Sequence, residues 1–184
     1  MTRYIFLSFF ALVAVLLISM ASIQSYQMEP PYFLRFDQIT FQHSAEIDIE
    51  VVSTFPPTEE QLKVFEEDYL AIWAHLNYIH YTNDLKPGKD RFTERFYENL
   101  AESYTEPIKG AVERNDISHE VFVQNWSRDG LACHVIDSAA VLNYKLPSGD
   151  SLQTQAIIAM ALYFQGDNWR LDAMKIIEEK PLKP

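Results

Sequence analysis

The sequence predicts an α+β fold: a curved antiparallel sheet packed on N-terminal helices. Three observations predict this. Apolar residues recur at three- and four-residue steps in two stretches between Thr58 and Tyr104. From His119 onward the pattern changes to apolar–polar alternation between short turns that contain glycine. Helices set apart from a run of strands belong to the α+β class rather than to alternating β–α–β units.

The chain opens with an address. Arg3 precedes an uncharged run over residues 4–21, whose core from Ile5 to Ile18 is interrupted only by Ser8. A positive start followed by such a run reads as a signal peptide, and the run also lies near the ~18-residue threshold for a spanning helix. Ser19-Met20-Ala21 offers a cleavage site after Ala21. If uncut, the run is an anchor, and Arg3 holds the N-terminus inside. Either form puts the remaining chain outside the cytoplasm, periplasmic or secreted.

Residues 22–38, with Pro30-Pro31, read as a tether, and residues 39–178 as one domain. Ile39 to Val52 is a strand with Ile47, Ile49 and Val51 on one face. Thr58-Glu59-Glu60-Gln61 is a capping box and opens a helix to about Asn83, with an apolar stripe of Leu62, Phe65, Tyr69, Trp73, Leu76 and His80. Lys86-Pro87-Gly88 is a loop. Asp90 caps a second helix with Phe92, Phe96, Leu100 and Tyr104 on one side, closed by Pro107. Residues 107–118 read as a connection. A strand follows around Val121 to Val123, then the Arg128-Asp129-Gly130 turn and a strand from Leu131 to Tyr144. The hairpin loop 146–150 leads to a long strand, Ser151 to Gln165, apolar on both faces between Ala156 and Phe164. Gly166-Asp167-Asn168 turns into a last strand, Trp169 to Ile177, and residues 179–184 read as a frayed tail. A strand apolar on both sides needs cover on its outer face, and either a homodimer partner or the N-terminal strand region is expected to supply it.

The formal net charge is −11. Such a domain repels nucleic acid and anionic headgroups, so no nucleic-acid partner is expected. The single cysteine, Cys133, can form no intramolecular disulfide and reads as a buried, inert thiol. Neither the lone cysteine nor the histidines have metal-ligand spacing: His75 and His80 are five apart, which puts them on different helix faces. There is no Gly-rich phosphate loop and no Gly-x-Ser-x-Gly elbow. No cofactor and no metal is expected. Among polar candidates, His80 forms an i, i+4 pair with Asp84 at a helix end, where a histidine is electrostatically favoured. By alternation His134 shares a face with Ile136, Ser138, Ala140 and Leu142, opposite Asp137. Tyr69, Trp73, Trp126 and Trp169 are candidates to line an apolar ligand pocket, with core packing as the ordinary alternative.

Four features together resemble the nuclear transport factor 2-like superfamily of cone-shaped, cystatin-like α+β domains. They are the capped helix bearing Tyr69 and Trp73, the helix from Phe92 to Tyr104, two long strands, and the closing hairpin from Gly166 through Trp169-Arg170-Leu171 to Ile176. The resemblance spans about residues 58–178. It implies a curved sheet wrapped on helices, with a pocket at the open end. Members include ketosteroid isomerase-like and dehydratase-like enzymes, polyketide cyclases, non-enzymatic binding modules and a periplasmic subunit of type IV secretion systems. That last subunit usually carries a longer cytoplasmic N-terminus than the three residues here. In such a cone His134 or His80 would be the base of an enzyme, with Asp172 as acid partner. The leading expectation is a non-catalytic exported domain that binds a small apolar ligand or a protein. The alternatives are a small isomerase/dehydratase-like enzyme and a periplasmic subunit of a secretion assembly.

Overall fold

A computed structural model describes residues 45–103 and 112–182. The apolar run 4–21, the tether, the first part of the expected first strand, and Tyr104 and Pro107 lie outside the described residues. Among the described residues no helix is long and apolar enough to cross a membrane.

The elements run β1 (Glu46–Val51), α1 (Glu59–Thr82), a 3-10 turn (Lys86–Asp90), α2 (Glu94–Ser103), β2 (Glu113–Trp126), β3 (Ala132–Lys145), β4 (Ser151–Gln165) and β5 (Asn168–Pro181). The class is α+β. The five strands form one open sheet in chain order, β1-β2-β3-β4-β5. It is mixed and not purely antiparallel: β1 pairs parallel to β2, with Ile49 opposite Val121, and the other three pairings are antiparallel. Alternation along β1 carries no strand direction. The long helical crossover between β1 and β2 is what permits a parallel neighbour.

Helix α1 forms where its caps dictate. The Thr58 hydroxyl accepts from the Gln61 amide at 3.2 Å, and the Gln61 side chain accepts from the Thr58 amide at 2.9 Å. The helix ends on Asn83, whose backbone is left-handed at φ 55° and whose N–H donates to Ile79 at 2.7 Å. The helix lies against β2 and β5, and α2 lies against β5. Phe65, Tyr69, Trp73 and Leu76 of the expected stripe are buried, with Leu62 and His80 at its half-buried ends. Residues Ala71 to Asn77 are all buried, so the middle of α1 is enclosed on every side.

The cap of α2 is Thr93, not Asp90: the Phe96 amide donates to the Thr93 hydroxyl at 3.3 Å, while Asp90 ends the 3-10 turn. Phe92 lies before the helix in a short parallel bridge to Leu171. There the Thr93 amide donates to Leu171 and the Leu171 amide donates to Arg91, each at 2.9 Å. Backbone pairing with β5 holds these residues extended, and that pull outweighs the four-residue periodicity that would put Phe92 in the helix.

Two other boundaries differ from expectation. β2 begins at Glu113, inside the stretch 107–118 read as a connection. Its inward positions there are the polar Asp116 and His119, and register irregularities fall beside each, so no clean alternation survives. β5 continues through residues 179–181, where a tail was expected, because β4 supplies backbone partners up to Thr154 opposite Pro181.

The core fills the space between α1 and the sheet. Phe65 meets Trp126 and Trp169 edge-on at centroid distances of 5.8 and 5.7 Å, and the two tryptophans lie 4.8 Å apart. The β2–β3 turn closes over the start of α1. Gly130 has φ +75°, and a Cβ there would come within 2.8 Å of Gln61 Nε2, so a side chain at this position would strain the turn and push on the capping glutamine.

Candidate functional site

The inner face of the sheet carries a sealed polar network. His119 of β2 has both ring nitrogens occupied: Nε2 lies 2.8 Å from Asp116 and Nδ1 lies 2.7 Å from Asp137 of β3. The His119 and Asp137 side chains have no exposed surface, and that of Asp116 has 1%. Helix α1 closes the network from above. The Tyr69 hydroxyl donates to Asp137 at 2.9 Å, and the Asn77 amide donates to Asp116 at 2.5 Å. Arg114 Nε donates to Asn77 at 2.7 Å, and its guanidinium lies over the Trp73 ring at 5.7 Å. The Trp73 ring also lies against His119, 4.8 Å between centroids.

Burial would lower the basicity of His119, but its hydrogen bonds to Asp116 and Asp137, with their charges, more than offset this and raise its pKa. Burial and the charge of Asp137 hold the Tyr69 phenol far above its ordinary range. Tyr69 therefore keeps its proton and acts as a hydrogen-bond donor. These groups lie deep in the core, and no surface atom of His119 or Asp137 meets solvent.

A second cluster lies where α1 ends over the sheet. The His80 ring meets Tyr144 of β3 edge-on at 5.9 Å. Glu179 of β5 accepts from the Tyr144 hydroxyl at 2.9 Å and from the Thr154 hydroxyl at 2.7 Å. Burial, followed by the charge of Arg114, lowers the pKa of His80, so it is neutral at pH 7. This is the more accessible of the two clusters.

The remaining acids are latches. Asp68 pairs with Arg91 and accepts from the Trp169 amide at 2.9 Å. Asp172 accepts from Thr93 at 2.8 Å and from Arg95. Each ties the segment between α1 and α2 onto β5.

The structure does not bring the expected site residues together. His80 sits with Tyr144 and Glu179, Asp172 with Thr93 and Arg95, and His134 is exposed on the outer sheet face opposite Asn125 and Ala161. A bulge between Asp137 and Ala140 turns Ala140 and Leu142 inward, so they do not share the outer face with His134. Tyr69, Trp73, Trp126 and Trp169 are each at most 2% exposed and pack in the core. Cys133 is buried there too, and burial holds its thiol well above the ordinary value.

The outer face has a different character. Along β4, Ala156, Ile158, Met160 and Leu162 point inward, while Ile157, Ala159, Ala161 and Tyr163 point outward and are only partly covered. Phe122 of β2 and Ile136 of β3 continue this strip in register with Ala159. Glu46, Asp48 and Glu50 of β1 bound it on one side, with Arg170 and Lys175 of β5 on the other.

No protein-family model matches the chain, and no curated protein is significantly similar to it in sequence.

Proposed function

We propose that this chain is an exported or membrane-anchored, non-catalytic interaction domain that works through the outer face of its sheet. The observation that carries this reading is the apolar strip of Phe122, Ile136, Ile157, Ala159, Ala161 and Tyr163 at the middle of an open sheet. Contiguous apolar patches left open on a folded domain are characteristic of protein, membrane or ligand contact surfaces. The burial of the His119, Asp116 and Asp137 side chains, each at most 1% exposed, counts against proton transfer to a substrate by these groups. The uncharged run at residues 4–21 supports the location outside the cytoplasm. The order of helices and strands is compatible with a nuclear transport factor 2-like domain.

The partner that fits best is a second copy. Across the sheet, Glu50, Phe122, Ile136, Ala159 and Lys175 form one register row, acidic at one edge and basic at the other. Two such faces related by a two-fold axis along β3 would bring the Glu50 edge of one copy over the Lys175 edge of the other. The apolar strips would meet between them, as in aligned sheet packing.

The test is hydroxyl-radical labelling of Tyr163 and Ile157 in the full chain, in its native membrane and at high dilution in detergent. Protection in the membrane and labelling on dilution is the expected result. Equal labelling in both states contradicts an interaction role for this face.

A further inference from the structure

We propose that His119 is a buried imidazolium that makes the fold pH-sensitive: losing its proton loosens α1 from the sheet, and acidification tightens it. The argument is geometric. Both ring nitrogens lie within hydrogen-bond distance of a carboxylate oxygen, and neither carboxylate oxygen has a proton of its own to give when ionised. An imidazole satisfies two such acceptors only when both nitrogens carry protons. A neutral ring would aim a lone pair at one carboxylate from less than 3 Å, inside a region with no solvent to relieve it.

The groups around the ring agree with this state. From α1 comes Tyr69, a donor to Asp137, and Asn77, a donor to Asp116. β2 gives Asp116 and, one hydrogen bond further through Asn77, Arg114. β3 gives Asp137. β1 and β4 meet the cluster with Ile47 opposite His119 and Ile158 opposite Asp137. The imidazolium lies between the two carboxylates. Deprotonation removes the positive charge that separates them, and the carboxylates affected are the two that tie Tyr69 and Asn77 of α1 to the sheet.

The sign follows. A histidine whose basicity rises on folding contributes stability that is fully present below pH 6.5 and is lost as pH climbs through the folded value. Between those two pH values the folded chain holds one more proton than the unfolded chain, so its folding constant falls by up to about tenfold per pH unit. His80 has the opposite sign and acts in a different window: its lowered value confines its effect to pH below 6.5. The two contributions therefore separate on the pH axis.

The test is a pH titration of the full chain in detergent micelles, with ring-15N histidine read by NMR. The His119 signal is assigned by through-space contacts to the Tyr69 and Trp73 rings. The expected result is a ring protonated on both nitrogens that titrates with a midpoint above 6.5, with amide exchange along α1 from Asp68 to Ile79 quickening in the same window. A midpoint at or below 6.5, or a ring that keeps both protons beyond pH 10, overturns the proposal. So does a titration without faster exchange in α1. Urea unfolding of His119→Gln, where it folds, should lose the slope above pH 6.5; a retained slope likewise overturns it. His80→Gln should keep that slope.

Discussion

Asp137 serves three donors at once: the Tyr69 hydroxyl, the His119 ring and, at 3.3 Å, the Glu120 amide. Removing it leaves His119 Nδ1 and the Tyr69 hydroxyl without their acceptor in the core, with Asp116 as the one remaining carboxylate on the ring. Asp137→Ala should therefore cost about 3–5 kcal/mol in urea unfolding, the range for breaking a buried pair from one side. Tyr69→Phe removes one donor and keeps the ring, so it should cost only about 1–2 kcal/mol in the same measurement. The network was not legible in the sequence, and the reason is local. Asp116 and His119 are three apart in a strand, a spacing that alternation assigns to opposite faces, and only the irregularities on either side of Ser118 turn both inward. The same effect at Asp137/Ala140 moves Ala140 and Leu142 off the face that alternation gives them. His80 could be placed on its helix from spacing alone, but its partners Tyr144 and Glu179 come from strands that no local pattern joins to it.

Elements with strong local signals were readable. Thr58 and Gln61 fix the start of α1 by a reciprocal hydrogen bond, and β4 runs from Ser151 to Gln165 as its turn residues require. Thr58→Ala should lower stability by about 1 kcal/mol in urea unfolding. Elements held by distant backbone were misread. Thr93 and not Asp90 caps α2 because residues 91–93 are paired to β5, and β5 outlasts its apolar pattern because β4 continues beside it. Asp172 anchors that junction through Thr93 and Arg95. Asp172→Ala should quicken hydrogen exchange over residues 91–103 and leave β3 and β4 protected. Equal quickening across the sheet would show that Asp172 supports the whole fold and not this junction.

For the molecule as a whole, the proposed interaction role rests on a feature already present in the sequence: β4 is apolar on both faces, and a sheet covered by helices on one side leaves the other open to a partner. What the sequence could not supply is the row that joins Glu50 at one edge to Lys175 at the other, because that row is set by four strand registers. The measurement that tests the outer-face pairing most directly is sedimentation of the full chain in detergent across a dilution series. It compares wild type with Ala159→Glu, Glu50→Lys, Lys175→Glu and the double reversal Glu50→Lys/Lys175→Glu. The account predicts a wild-type dimer that Ala159→Glu abolishes, that each single reversal weakens, and that the double reversal restores. A wild-type chain that stays monomeric at every concentration, or a dimer indifferent to Ala159→Glu, would contradict it.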